Sequence, residues 1–218
     1  MQNYIYTVIT NGKDTLNEEI NAEGAKLVCF TNDDITSDKW EIRKLPDLFI
    51  DPRRNSRMPK IMPHIYMPDA DYTLYMDGNL INTIPLQQVI DDWGAGTFCM
   101  FRHAARNCYF DEAKECIRLG LDDPELIISQ CQRYKHVPKH AGLYNCGVML
   151  RKNIASVNSF NEKWWAQYCT GSRRDQISFA IAAWEYKLKI TAIHGGCWCT
   201  PGFEMVPHKI LSEWAGKV

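Results

Sequence analysis

The sequence has 218 residues, of which 45% are hydrophobic and 23% charged, and its formal net charge is −1. These values are typical of a globular protein with a sizeable core, and they give no reason to expect bulk attraction to nucleic acid or to an anionic membrane. No segment approaches the ~18 apolar residues of a membrane helix. Met1 leads straight into a strand-like run, without the regions of a signal peptide. We therefore predict a cytoplasmic protein with one domain over residues 1–218.

The nine cysteines are scattered and odd in number. This pattern is typical of buried, reduced thiols rather than of a disulfide framework. Cys197 and Cys199 form a C-x-C pair, but no second pair follows at zinc spacing. A thiolate metal site at this pair is thus only an alternative to two buried thiols.

The first half of the chain begins with three predicted strands. Residues 4–10, 26–31 and 40–43 are rich in β-branched and aromatic side chains, as strands are. The segment 51–60, DPRRNSRMPK, carries four cations close to prolines and predicts a helix start or a loop, which leads to a helix through Ile65. A solvated charged face is one interpretation of this segment, and a role beside the next strand is the other.

The run from Tyr72 to Met76 predicts a buried strand that stops at Asp77. Gly78 allows a tight turn there, and Asn79 adds a second oxygen-bearing side chain. Open α/β sheets bind ligands at the carboxyl ends of their strands, which favours a binding site at this corner. A plain β-turn with the common Asp-Gly signal is the alternative.

The second half of the chain continues the alternation of strands and helices. The predicted helices are 85–93, 110–119, 124–134, 159–168 and 175–184, and the predicted strands are 97–101, 142–150 and 189–193. Asn145 and Gly147 lie within one of these strands, where a glycine often marks close approach of a ligand or of another backbone. The Gly/Pro-rich tail 194–208 predicts a loop that returns over another part of the molecule. The alternation predicts an α/β protein.

The order of these motifs resembles that of the GT-A glycosyltransferases, which have the nucleotide-diphospho-sugar transferase fold. The segment GLYNCGVMLRKN (142–153) is similar to the Asn-x-Gly-Val-Met-Leu segment of glycosyltransferase family eight. YMDGNL (75–80) and RDQISF (174–179) resemble more closely a glycosyltransferase-like family of bacterial and plant proteins with an Asp-Gly-Asn strand and an Arg-Asp-Gln-Leu-Ser-Phe helix. Further similar segments are 6–16, 28–33, 57–64 and 160–165. The resemblance spans roughly residues 4–209 and implies a single Rossmann-like mixed sheet flanked by helices.

The resemblance also implies a divalent metal ion, Mn²⁺ or Mg²⁺, held by an Asp-x-Asp pair and a distal histidine, because hard oxygen ligands suit these ions. Asp77 matches the first carboxylate of the pair. Asn79 replaces the second, and its neutral amide is a weaker ligand. His208 matches the distal histidine, His194 is the alternative to it, and each could equally be an ordinary surface histidine.

The donor nucleotide is implied to lie against basic groups and the end of the first strand. Arg57 and Lys60 match the family's basic positions, and arginine suits bidentate phosphate contact. Thr10 and Asn11 belong to the segment up to Lys13 that resembles the nucleoside-binding loop.

The sugar is implied to lie beside the later motifs. Asn145 and Gly147 match positions on the sugar or acceptor side. Asp175 opens the Arg-Asp-Gln helix, where it either contacts donor sugar hydroxyls or caps the helix. Gln176 is the candidate for the β-face of the transferred sugar.

The implied activity is transfer of a sugar from a nucleotide-sugar donor, UDP-linked, to a hydroxyl acceptor with retention of configuration. The identity of the acceptor is left open: a glycan, a small molecule and a modified nucleic-acid base are all candidates. One alternative is a metal-assisted hydrolase, in which Asp77, Asp175 and His208 serve a water molecule. The other is a non-catalytic binder of nucleotide-sugar or glycan, which Asn79 in place of an aspartate favours.

Overall fold

The computed structural model describes residues 2–198 and 200–208. Its strands are β1 (Gln2–Ile9), β2 (Lys26–Thr31), β3 (Glu41–Lys44), β4 (Ala70–Met76), β5 (Leu80–Asn82), β6 (Phe98–Arg102), β7 (Tyr144–Lys152), β8 (Thr191–Ile193) and β9 (Phe203–Met205). Its helices are α1 (Pro52–Ile61), α2 (Pro63–Tyr66), α3 (Leu86–Asp92), α4 (Tyr109–Arg118), α5 (Pro124–Arg133), α6 (Ala155–Cys169) and α7 (Asp175–Glu185). The segment 51–60 is thus mainly helical, and the helix expected through Ile65 is divided at Met62, directly before Pro63.

Seven of the described strands form one sheet in the order β3-β2-β1-β4-β7-β6-β8. Neighbouring strands are parallel except at β7, which runs antiparallel to both β4 and β6. The carboxyl ends of the parallel strands therefore share one edge of the sheet, and β7 begins at that edge. This edge brings together residues 10–13, 77–79 and 145–147. The expected fold class, α/β with a mixed sheet flanked by helices, is confirmed.

Both faces of the sheet are covered, and the alternation of side chains along β1 shows how. Ile5 and Ile9 belong to an apolar cluster that includes the inner face of α3. Tyr4 and Tyr6 point to the opposite face, into a cluster that includes side chains of α1, α6 and α7. Because successive side chains of a strand point to opposite faces, a strand covered on both sides is apolar at nearly every position. This explains the continuous apolar run that made β1 recognisable.

A second sheet, of two strands, lies beside the first and differs from the single sheet expected. It pairs β5 with β9 in antiparallel register, with Leu80 opposite Met205. The pairing continues beyond β9, because the Val206 N–H donates to the Asn79 carbonyl over 2.9 Å. The tail therefore returns over the molecule, as expected, and it does so beside the Asp77 turn.

Two observations bear on the predicted environment of the protein. The described cysteines at positions 29, 99, 108, 116, 131, 146 and 169 are unpaired thiols, all of them buried or half-buried. Cys199, the second member of the C-x-C pair, lies outside the described residues, so that alternative stays untested. Within the described part of the chain, no helix is both long and apolar enough to cross a membrane. The cytoplasmic location and the single-domain organisation stay predictions.

Candidate active site

The Asp77 corner is both a turn and part of a charged cluster. The Leu80 N–H donates to the Asp77 carbonyl over 2.9 Å, so the Asp-Gly-Asn segment forms a tight turn directly after β4. The Asp77 side chain points into a group of ion pairs, described below. The two interpretations of this segment therefore do not exclude each other.

Gly78 is required at this corner by close packing, and not by a special backbone conformation. Its φ angle lies outside the left-handed region that favours glycine. A Cβ at this position would lie 2.9 Å from Ile9 Cγ1 and 3.1 Å from Asp14 Cβ. The expectation that glycine served the turn conformation is thus corrected: it lets the turn pack against the loop that follows β1.

Gly147 has a comparable role on β7. The register between β6 and β7 shifts beside the corner, and such irregularities often re-aim side chains near active sites. The Gly147 carbonyl accepts a hydrogen bond from the Asp77 N–H over 2.8 Å. A Cβ at Gly147 would lie 2.8 Å from Asn145 Oδ1 and 3.2 Å from Asp77 Oδ2. The glycine therefore allows the side chains of Asp77 and Asn145 to approach each other.

Helix α1 supplies the cations of the cluster. Arg53, Arg57 and Lys60 are spaced by four and three residues, so they share one helical face. Lys60 is only 2% exposed, and its Nζ lies 3.2 Å from Asp77 Oδ1 and 2.8 Å from Asp175 Oδ2. Arg57 Nε lies 3.0 Å from the same Asp175 oxygen. The two contacts to Asp175 Oδ2 are close ion pairs, but their angles do not suit well-directed hydrogen bonds. Lys60 is therefore buried in the cluster and is not part of a solvated charged face, which was the other interpretation of this segment.

Asp175 is the first residue of α7 and is buried. The residue at the N-cap position is Arg174, which makes no side-chain cap, and Asp175 Oδ1 accepts the N–H of the adjacent Gln176 over 3.1 Å. Burial by itself raises the pKa of Asp175, but the opposing effect of Lys60 and Arg57 is larger and holds it well below its usual range. Asp175 is therefore an ionised carboxylate that faces two cations. The half-buried Gln176 Oε1 lies 3.4 Å from Arg174 Nη2.

Asp77 is ionised as well, but it remains accessible. Burial raises its pKa, whereas Lys60, Arg57 and a 2.6 Å hydrogen bond from the Tyr75 hydroxyl to Oδ1 bring the pKa below its ordinary value. Its side chain keeps an exposed fraction of 41%. With Oδ1 engaged by Lys60 and Tyr75, the other oxygen of Asp77 is the one available to a ligand.

A buried arginine that the sequence analysis missed holds the end of α1 in place. Arg151 on β7 is 1% exposed and donates to the carbonyls of Lys60 and Ile61 over 2.7 and 3.1 Å. The Tyr6 hydroxyl also donates to the Lys60 carbonyl, over 3.0 Å. A cation at the C-terminus of a helix interacts favourably with the helix dipole. Arg151 therefore positions Lys60, and a charged residue inside an apolar strand was the signal that could have revealed it.

A cleft of about 400 Å³ opens beside the charged cluster. It is lined by Thr10, Asn11, Lys13, Arg53, Ser56, Arg57, Leu121, Arg173 and Arg174. Five of these nine residues are cationic, and clefts lined by one sign of charge concentrate the opposite charge. Burial and the neighbouring Arg57 and Lys60 lower the pKa of Lys13, although Asp77 and Asp14 oppose the shift. The cleft therefore suits a polyanionic ligand, and the two cations from the segment before α7 were not anticipated.

The tail brings His208 to the same corner. Its Nδ1 lies 2.6 Å from Asp14 Oδ1, and Asp14 in turn packs against Gly78. The buried Asn79 donates its amide N–H to the Val206 carbonyl over 3.3 Å. His194, the alternative histidine, is exposed after β8. Asp14 is thus a residue of this corner that sequence reasoning missed, because its partner lies at the far end of the chain.

The comparisons with known proteins bear on the family and the fold of the chain. The chain matches the TOD1/MUCI70, glycosyltransferase-like domain family over residues 14–194. It belongs to this family. The matched range contains the Asp77 corner, α1, β7 and the start of α7, but neither Thr10 nor Asn11 nor His208. The expectation that the chain belongs to a glycosyltransferase-like family is confirmed.

Two individual proteins resemble the chain. It is 29% identical over 155 residues to the probable hexosyltransferase MUCI70 of Arabidopsis thaliana. That match covers 65% of this chain and 27% of the plant protein, so the chain spans about a quarter of its relative's length. Among solved structures, the chain is similar to the apo form of mouse xyloside xylosyltransferase 1, with a TM-score of 0.52 and 10% identity over 88% of this chain and 85% of the other. At this identity the likeness supports the fold.

Proposed function

We propose that the protein transfers a sugar from a UDP-sugar donor to a hydroxyl group. The observation that carries the proposal is the cationic cleft that opens beside Asp77, with Lys60 buried between Asp77 and Asp175. Transfer of a sugar from a nucleotide diphosphate places negative charge on the departing diphosphate. Cations fixed in advance at that position stabilise the transition state. The cleft supplies such cations, and Arg57 and Lys60 connect it to the corner.

The chain's own residues have distinct roles in this proposal. Thr10 and Asn11 line the end of the cleft at β1, where the nucleoside binds. Lys13 and the arginines of the cleft bind the diphosphate, with bidentate contacts from the arginines. The donor sugar lies between Asp77 and Asn145, which converge beside Gly147. Asp175 and Gln176, at the start of α7, then border the sugar on its other side.

We propose the corner as a partial site for a divalent ion, on the chemistry of the side chains present. Asp77 offers one carboxylate oxygen, Asn79 offers its amide oxygen, and His208 offers Nε2 because Asp14 engages Nδ1. A carboxylate that holds the other ring nitrogen of a ligand histidine is a common arrangement. Mg²⁺ typically takes few protein ligands and completes its shell with substrate phosphates and water. When bound, Mn²⁺ or Mg²⁺ would neutralise charge on the diphosphate.

The surroundings of the carboxylates argue against a covalent glycosyl-enzyme intermediate, so the retention that the family resemblance implies would proceed in a single step. Asp175 faces Lys60 and Arg57, and the same two cations lower the pKa of Asp77, so both carboxylates are weak nucleophiles. We therefore propose that the bond from the sugar C1 to the phosphate oxygen breaks as the acceptor oxygen bonds to C1 from the same face. The acceptor proton passes to the departing phosphate oxygen. The anomeric configuration of the product, read by NMR, tests this step.

The experiment that tests the activity follows UDP release from UDP-sugars in Mn²⁺, with and without candidate hydroxyl acceptors. Asp77→Asn should lower kcat/KM by roughly 10²–10³-fold, which is typical when one preorganised electrostatic contact is removed. Asp92→Asn, an exposed carboxylate on α3, is the matched control and should leave the rate unchanged.

Calorimetry with UDP gives a second and independent reading. Lys13→Ala should weaken UDP binding by about tenfold, because a contact between charged groups is lost. Lys189→Ala, which removes another exposed lysine, is the control and should leave UDP binding unchanged. Absence of UDP binding would overturn the proposal. Binding of UDP-sugar without turnover would identify a binding protein, and acceptor-independent release of free sugar would identify a hydrolase.

A further inference from the structure

A second group of metal-binding side chains lies at the start of α4, away from the Asp77 corner. Cys108, Asp111 and His140 each place one ligand atom within 4.8 Å of those of the other two. Two of these residues begin α4, and the third belongs to the loop that leads to β7. We propose that the three side chains bind a zinc-type divalent cation, at a site separate from any metal at the donor diphosphate.

The orientation of His140 favours a ligand role. Its Nδ1 lies 2.6 Å from Asn107 Oδ1, which leaves Nε2 with its lone pair free for a metal. Histidine ligands usually donate their other ring N–H to an oxygen in this way, and the contact fixes both the tautomer and the ring orientation. The backbone is held as well: His140 has a φ of 60°, and the Gly142 N–H donates to the Asn107 carbonyl over 3.1 Å. Asn107 therefore holds the imidazole through its side chain and the loop through its backbone.

The chemistry of the ligand set selects the cation. A thiolate, an imidazole and a carboxylate together suit Zn²⁺, whereas Mn²⁺ and Mg²⁺ prefer oxygen ligands. Cys108 is buried, Asp111 is half-buried and His140 is exposed, so an ion can enter from the side of His140. Asp111 also lies 3.5 Å from Lys114 Nζ, but the Lys114 side chain is 80% exposed, and water screens such a pair. Three protein ligands leave the fourth tetrahedral position to water or to another donor.

The site would join the two loops that precede α4 and β7. One loop connects β6 to α4, and the other leads from α5 to β7. They already meet where the His103 N–H donates to the Leu143 carbonyl over 2.9 Å. Asn145, beside the proposed sugar position, follows Leu143 by two residues. A bound ion would therefore fix the loop that positions the start of β7.

The test is titration of the full chain with Zn²⁺ alone, after removal of metals by a chelator. We expect one equivalent to bind and to survive dialysis, and we expect bound Co²⁺ to show thiolate-to-metal absorption in the near ultraviolet. Cys108→Ser should abolish that absorption. His140→Asn removes the imidazole with a residue that tolerates positive φ, and it should weaken binding at least tenfold. Asn107→Ala should weaken it by roughly 10–100-fold through loss of orientation.

Three controls keep the outcome clear. Circular dichroism of each metal-free variant verifies folding. If Cys108→Ser does not fold, His140→Asn provides the test, because His140 is exposed. Cys169→Ser, which removes a half-buried thiol at the end of α6, is the matched thiol variant and should retain binding. Asp77→Asn should also retain binding, which separates this site from the donor site. Absence of saturable binding, wild-type binding by His140→Asn, or loss of binding in Cys169→Ser would overturn the proposal.

Discussion

The carboxyl edge of the sheet and the outer face of α4 both carry ion pairs, but of opposite kinds. At the sheet edge, Lys60 is 2% exposed and lies between two carboxylates. On α4, Arg118 and Glu115 pair over 2.7 Å, with the arginine 66% exposed. Exposed pairs contribute little to stability, whereas buried charges lose their hydration and often cost more than apolar residues would. The cluster at the sheet edge is therefore better explained by function than by folding, since strongly perturbed groups in a cleft are typical of functional sites.

The largest effect should come from removing the central cation of that cluster. Lys60→Met nearly keeps the length of the side chain but removes its charge. Asp77 and Asp175 then face each other without a cation between them. We expect the free energy of unfolding to fall by about 3–5 kcal/mol, as is typical when one partner of a buried ion pair is removed. Urea denaturation measures this. Arg118→Met, on the exposed face, should show no measurable change.

A second substitution distinguishes lost charge pairing from lost packing. Adding Asp175→Asn to Lys60→Met removes one of the uncompensated charges and should restore part of the lost stability. If the double variant is no more stable than Lys60→Met, the cost arises from packing. If Lys60→Met itself is as stable as the wild type, the contrast between the two regions is wrong.

Acid should destabilise the cluster at the sheet edge, because folding lowers the pKa of Asp175. A carboxylate whose pKa is lower in the folded than in the unfolded chain contributes stability above its unfolded pKa, about 4. That contribution is lost as the pH falls through the folded pKa. We therefore expect the urea midpoint to change little between pH 7 and pH 5 and to fall below about pH 4. Asp175→Asn should flatten this decline, and an unchanged decline in that variant would contradict the assignment.

The smallest effect should appear at Asn79, where a single atom exchange converts the amide into a carboxylate. Asn79→Asp restores the second acid of the Asp-x-Asp pair and should raise the affinity for Mn²⁺ by roughly tenfold, because affinity follows the charge of the ligand set. Calorimetry with Mn²⁺ in the presence of UDP measures this. Asn79→Ala should lower the affinity instead, and equal affinities for the three forms would place Asn79 away from any ion.

The sequence by itself located three elements near the site, although not all of their exact ends. The apolar run before Asp77, the glycine within the strand at position 147 and the helix that opens at Asp175 are local signals, because the period of side chains and the turn residues depend on neighbours in the chain. The family resemblance added the order of these motifs and, with it, the fold. These signals were enough to place several candidate residues at one edge of a sheet.

Only the tertiary structure decided which of these residues meet, because contacts between distant segments depend on how whole elements pack. Lys60 joins Asp77 to Asp175 since α1 and α7 pack on the same face of the sheet. Asp14 reaches His208 only because the tail pairs with β5. Gly78 shows the limit most directly. Its sequence context indicated a turn, but the need for glycine comes from Ile9 and Asp14, which lie against it only in the folded chain.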